Sequence, residues 1–209
     1  MHDIPVHGTP ADPAGLAESL AEGKAALRRR AAAARAAMPE QDRRAAARLL
    51  RDHVLGLPQV AAAGTIAAYY SAGTEPDTHG LVFALWKRGS YVVLPVLLPD
   101  GDLDWASYEG PDSLAAGPRG LLQPTEPARG PGTVARADVV LVPALAVDAR
   151  GTRLGRGGGS YDRALARVGG QVPTIALLYE AELAGRLPAD PHDRPVRAVA
   201  RPASGITWF

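Results

Sequence analysis

The chain has 209 residues, no cysteine, 46% hydrophobic residues and a formal net charge of +1. This length suits one sizeable domain, the lack of cysteine excludes thiol nucleophiles, disulfides and cysteine–zinc sites, and the near-neutral charge gives no electrostatic case for nucleic acid or an anionic membrane as main partner. There is no apolar run of about 18 residues and no charged-then-apolar leader, so a cytoplasmic protein, monomer or weak homodimer, is expected.

In chain order, Met1–Gly15 is rich in proline and glycine and reads as a disordered tail whose His2 and His7 match no metal spacing. A single domain is expected from residue 16 to residue 209. Leu16–Ala37 is rich in alanine, leucine and arginine, with no proline, and predicts a helix. Its Lys24 and Arg28 are four apart and share one face. The Arg28-Arg29-Arg30 run reads as a solvated face, because no aromatic residue interleaves. Pro39 opens a second helix, Glu40–Leu55.

Thr65–Ser71 predicts the first strand, Thr78–Arg88 a helix with an apolar stripe of Leu81, Val82, Leu85 and Trp86, and Tyr91–Pro95 a second strand parallel to the first. Ligands bind at the carboxyl ends of such strands, so Tyr70 and the residues after it, Glu75 among them, stand where a substrate belongs. Asp77 suits a helix-start acid better than Glu75 does. Pro99–Gly101 reads as a turn and Leu103–Tyr108 as a strand at or near an edge. Its Trp105 is either core or a wall of the substrate pocket. Residues 107–136 are loop-rich, with five prolines between 111 and 131.

Val139–Val142 is a buried run ending at Pro143, as suits a central parallel strand, and Tyr161–Val168 has a helical pattern. Between them lie Gly151, Gly155, Gly157, Gly158 and Gly159, interleaved with Arg153 and Arg156. Glycines let backbone N–H groups turn toward an anion, arginines offer bidentate donors to phosphate, and Asp162 at the helix start could bridge magnesium to it. This is the chemistry of a nucleotide-phosphate site. It is not a Walker A loop, for no Gly-Lys-Ser/Thr follows, and Ser160 occupies the last glycine position of a dinucleotide fingerprint. Pro173–Tyr179 predicts another buried strand, and Arg197–Arg201 and Ile206–Phe209 two short ones. The whole reads as a three-layer α/β/α domain with a largely parallel or mixed sheet.

The run Arg153-Leu154-Gly155-Arg156-Gly157-Gly158-Gly159-Ser160-Tyr161-Asp162-Arg163 resembles the signature of the 5-formyltetrahydrofolate cyclo-ligase family, departing from it at Ser160, where tyrosine is usual. The resemblance extends from about Lys24 to Arg201. It implies ATP- and magnesium-dependent cyclisation of 5-formyltetrahydrofolate to 5,10-methenyltetrahydrofolate through a phosphorylated iminium, releasing ADP and phosphate. It implies that Lys24 and Arg28 reach the nucleotide and that Glu75, followed by Asp77 and Thr78, contacts the folate. Asp193, after His192, joins Asp162 at magnesium. Arg153, Arg156 and the glycine amides take the phosphates, and Tyr161 the loop's substrate side. Glu75 is expected across the sheet's carboxyl edge from the glycine loop. A folate-binding protein without turnover, or an enzyme like the sugar-phosphate isomerases and CoA transferases, remains the alternative.

Overall fold

A computed structural model describes residues 13–209. The expected tail, with His2 and His7, therefore lies outside the described residues except for its last three, which already belong to the first helix. The elements are α1 (Pro13–Ala37), α2 (Glu40–Leu55), α3 (Pro58–Ala61), β1 (Thr65–Ala67), α4 (His79–Lys87), β2 (Tyr91–Leu97), β3 (Leu103–Ser107), β4 (Leu114–Ala116), β5 (Leu122–Pro124), β6 (Val139–Pro143), β7 (Ala146–Asp148), β8 (Arg153–Leu154), α5 (Ser160–Leu165), β9 (Thr174–Leu177), β10 (Leu183–Ala184), β11 (Ala198–Arg201) and β12 (Gly205–Trp208).

Seven strands form one mixed sheet in the order β12-β11-β9-β6-β1-β2-β3. The five inner strands run parallel, and the edges β3 and β12 are antiparallel. Alternation along each strand feeds two cores. Ile66, Val92, Leu94, Leu141, Ile175 and Leu177 face α2 and α4, where Leu50, Val54, Leu81 and Leu85 are buried. Ala67, Val93, Val140, Val142, Ala176 and Val199 face the opposite way, toward Ala164 and Leu165 of α5 and Val134 of a 3-10 turn. These are the three expected layers. No helix among the described residues is long and apolar enough to cross a membrane.

Successive strands leave the middle in opposite directions, β1 to β2 on one side and β6 to β9 to β11 on the other. The strand order therefore reverses between β1 and β6, and a crevice opens at their carboxyl ends. Strand β1 stops pairing earlier than expected. Ser71 and Thr78 pinch the following loop shut, Ser71 N donating to Thr78 Oγ1 at 2.9 Å and Thr78 N to Ser71 Oγ at 3.0 Å. Helix α5 ends at Leu165, three residues short of expectation. Among the described residues, no side chain of helix α1 joins either large core. Its Leu27 and Ala31 join a third cluster with Leu145, Leu154 and Leu187, which lays the helix across the crevice.

Candidate active site

The crevice is a cavity of about 440 Å³ lined from four directions. Strand β1 and its loop supply Tyr69, Tyr70 and Glu75, the glycine segment supplies residues 153–162, α1 supplies Lys24, Arg28 and Arg35, and a turn after β10 supplies Asp190, His192 and Asp193. Pro95, Leu97, Leu103, Leu121 and Leu122 make an apolar wall.

The glycine segment is more structured than its composition suggests. Strand β8 pairs with β7, which pairs with β10, so Arg153 and Leu154 are held in a three-stranded sheet of their own. Asp148 anchors it. This fully buried carboxylate accepts from the N–H groups of Arg150, Thr152 and Leu187 at 2.9, 3.0 and 3.1 Å. Burial alone would raise its pKa, but those bonds and the Arg150 guanidinium bring it down to about 2. Beyond β8 the chain turns through Gly157 (φ +101°) and Gly159 (φ +68°), and Gly159 caps α5. Arg28 Nε donates to the Gly155 carbonyl at 2.9 Å, tying α1 to the loop.

The two loop arginines play unequal parts. Arg156 is 62% exposed at its side chain and reaches into the cavity, where its Nη2 lies 3.0 Å from Glu75 Oε1. Arg153 is turned inward, its side chain 3% exposed, and donates to Asp162 Oδ1 at 2.8 Å. A guanidinium so buried needs a partner, and Asp162 is that partner. Both arginines expected at the phosphates line the cavity, Arg153 engaged by Asp162 and Arg156 by Glu75. Glu75 stands in contact with the glycine loop rather than across the edge from it, and its Oε2 accepts from Ala72 N at 2.9 Å. Asp77, as expected, serves the helix start, accepting from His79 N at 2.8 Å.

Lys24 Nζ is 2.6 Å from both Asp190 Oδ2 and Asp193 Oδ2. Burial opposes the lysine's charge, but the two carboxylate bonds outweigh it and raise its pKa. Asp193 is correspondingly lowered, its own burial overcome by the bond from Lys24. Asp190, His192 and Asp193 bring one potential ligand atom each within 4.8 Å of one another. Asp162 lines the same cavity but stands outside that trio, accepting from Arg153 and from Arg194 N.

Ser160 donates its hydroxyl to the Gly101 carbonyl at 2.5 Å, which pins α5 to the turn between β2 and β3. Tyr161 packs against both cores, with its ring beneath the Arg153 guanidinium, 5.8 Å away. Its hydroxyl is buried, and its pKa is pushed well above the ordinary value, by burial first and then by the charge of Glu75. Tyr70 lines the cavity and stacks on His79 with ring centres 3.9 Å apart. Trp105 is a correction. It is fully buried among Val93, Leu103 and their neighbours and does not line the cavity, so it is core.

Three residues escaped the sequence reading. Asp190 precedes Asp193 by three positions in a Pro-Ala-Asp-Pro turn, a signal too short to separate from a loop. Tyr69 was masked by its neighbour Tyr70. Arg35 continues the face of Lys24 and Arg28 along α1. It is buried, its Nε 2.6 Å from Glu182 Oε1 and its Nη2 2.6 Å from the Ala144 carbonyl at the end of β6.

A cavity at the reversal point of a mixed α/β sheet, edged by a glycine–arginine turn, cations from a crossing helix and an acidic trio, defines an α/β enzyme that handles anionic ligands. Comparison with known proteins narrows this. The profile of the 5-formyltetrahydrofolate cyclo-ligase family matches residues 20–202. A Mycolicibacterium smegmatis 5-formyltetrahydrofolate cyclo-ligase is 39% identical over 177 residues, 82% of this chain and 90% of that protein. The Escherichia coli K12 protein of the same name is 33% identical over 181 residues, 83% and 97% of the two chains. The solution structure of Aquifex aeolicus 5,10-methenyltetrahydrofolate synthetase superposes with a TM-score of 0.77 at 26% identity, covering 88% of this chain and 92% of that one. The chain belongs to the 5-formyltetrahydrofolate cyclo-ligase family.

Proposed function

We propose that the protein cyclises 5-formyltetrahydrofolate to 5,10-methenyltetrahydrofolate at the cost of ATP, with magnesium. The observation that carries this reading is the family's glycine–arginine signature standing at the sheet's reversal point, with Arg156 in contact with Glu75.

The chemistry asks for positioning and charge neutralisation rather than a protein nucleophile. The formyl oxygen attacks the γ-phosphorus and the bond to ADP breaks, which leaves a phosphorylated iminium at N5. N10 then attacks the iminium carbon, phosphate departs with the C–O electron pair, and N10 loses its proton. Arg156, the amides around Gly157–Gly159, Lys24 and Arg28 take the phosphate oxygens. Arg153 acts through Asp162, which it orients. Glu75 accepts hydrogen bonds from the pterin N–H groups, and Tyr70 and Tyr161 flank it. The apolar wall of Leu97, Leu121 and Leu122 suits the aromatic part of the folate. The cavity's carboxylate oxygens fit a hard cation. Asp193 with Asp190 would hold magnesium, and Asp162, which lines the same cavity, would add a further carboxylate. When bound, the cation neutralises charge on the phosphates.

The test is incubation of the pure protein with ATP, magnesium and 5-formyltetrahydrofolate, following methenyl absorbance and ADP together. Both should appear in equal amounts and both should stop with EDTA. Absence of methenyl product, ADP and folate binding alike would point to the isomerase-like alternative, tight folate binding without product to a binding protein, and full activity in EDTA would remove magnesium from the account.

A further inference from the structure

The cavity wall holds a polar group that the fold does not use. Tyr69 is 3% exposed, lines the cavity, and its hydroxyl has no hydrogen-bond partner among the described residues. Native proteins retain few such groups, because a buried hydroxyl left unpaired costs free energy. The ring does not need the hydroxyl for its position. It is packed in the core that faces α2 and α4, and the Tyr69 carbonyl accepts from Thr78 Oγ1 at 2.7 Å, so a phenylalanine would sit there equally well. Glu75, Tyr161, Arg35 and Glu182 are its electrostatic neighbours, the first three also lining the cavity, and burial together with Glu75 outweighs Arg35 and keeps the phenol protonated well above the ordinary range. It is thus a fixed, neutral donor beside a carboxylate that can only accept.

A reduced pterin carries the complementary pattern. Its 2-amino and N3–H groups form a donor edge, and the lactam carbonyl at C4 is the next atom along, an acceptor. We propose that Tyr69 is a specificity-determining residue whose hydroxyl donates to the C4 carbonyl oxygen while Glu75 accepts from the adjoining N–H groups. The inference rests on the folate reading above and deepens it. It assigns the enzyme a preference for 2-amino-4-oxo pteridines over 2,4-diamino ones, in which the carbonyl acceptor is replaced by an amino donor.

Tyr69→Phe separates this role from a structural one. The variant should melt at the wild-type temperature or higher, because it deletes an unpaired buried hydroxyl. Its Kd and KM for 5-formyltetrahydrofolate should rise about three- to tenfold, the span of one neutral hydrogen bond. Its kcat and its affinity for an ATP analogue should stay within about twofold, given that a ground-state contact affects binding alone. The wild type should discriminate against the 2,4-diamino analogue of the substrate, and the variant should lose most of that discrimination. Unchanged folate affinity in the folded variant overturns the proposal, and so does a lowered melting temperature with unchanged affinity, which would make the hydroxyl structural. Equal binding of the two pteridines by the wild type overturns it without recourse to any variant. Absence of methenyl formation by the wild type would remove the folate reading itself, whereas turnover with an indifferent Tyr69→Phe removes this inference alone.

Discussion

Gly151 and Gly157 share a positive φ and differ in what stands next to them. A Cβ on Gly151 would lie 2.2 Å from the Val196 carbonyl oxygen, a backbone atom that cannot swing away. Gly151→Ala should therefore destabilise the fold by on the order of 2 kcal/mol or more, and a lowered denaturant midpoint would record it. A Cβ on Gly157 would meet the end of Arg28, 3.2 Å away, which can move. Gly157→Val should still fold, with stability lowered by about 1–3 kcal/mol for a β-branched residue at φ +101°, and should lose affinity for an ATP analogue in calorimetry. Unchanged affinity would reduce the loop to a connection. Arg156→Lys is expected to leave the melting temperature nearly alone, because the Arg156 side chain is largely exposed and lysine keeps the charge opposite Glu75. It should lower kcat/KM about ten- to a hundredfold through loss of the planar fork. The glycine cluster was legible in the sequence, but the division of labour within it was not. Nothing local marks Gly151 as the one beneath Val196, or Arg153 as the arginine that turns inward to hold Asp162.

Helix α1 is an element held by its side chains. Lys24 reaches the Asp190–Asp193 turn, Arg28 the glycine loop, and Arg35 the end of β6 through Ala144 and the turn before β10 through Glu182. Arg35→Ala leaves Glu182 short of its buried partner, and breaking such a pair costs about 3–5 kcal/mol. Amide exchange should accelerate along α1 in this variant, and affinity for an ATP analogue should fall because Lys24 and Arg28 are presented less firmly. Exchange confined to its wild-type rate would show that the apolar contacts of Leu27 and Ala31 hold the helix alone. The long elements were readable, α2 to the residue, because periodicity and Pro39 mark them. Strands β4, β5, β7, β8 and β10 have two or three residues each, too few to show any period, and pairing with a neighbour rather than pattern creates them.

At the scale of the molecule, stability carries a pH signature. Asp148 has a folded pKa of about 2 against an unfolded value near 3.9. Between these values the unfolded chain binds more protons, so the stabilisation is complete above about pH 4 and is lost as pH falls toward 2. Asp102 and Asp193 are lowered too and act in the same direction. Asp148 alone accounts for about 2 kcal/mol. Urea midpoints should drop steeply below pH 4, and Asp148→Asn, weaker at neutral pH, should show a shallower drop. A parallel drop in the variant would assign the acid sensitivity elsewhere. The α/β layering and the central place of β6 were legible because Val139–Val142 is uniformly apolar. The sheet order was not, for the sequence does not say on which side of β1 a strand will land.

The contact between Glu75 and Arg156 makes the two halves of the cavity answer to each other. In the proposed function one charge serves the folate side and the other the phosphate side, and each is the other's counterion. A phosphate that draws Arg156 away leaves Glu75 free to accept, and a pterin that occupies Glu75 leaves Arg156 free to donate. Each ligand thereby becomes an effector of the other, and by thermodynamic reciprocity the two affinities must change by one common factor. Titrating an ATP analogue with and without 5-formyltetrahydrofolate, and the reverse, should give the same enhancement of about two- to tenfold. In Glu75→Gln that factor should shrink toward one even as ATP binds at least as well as before. A cooperativity that survives the substitution would have to travel by another route.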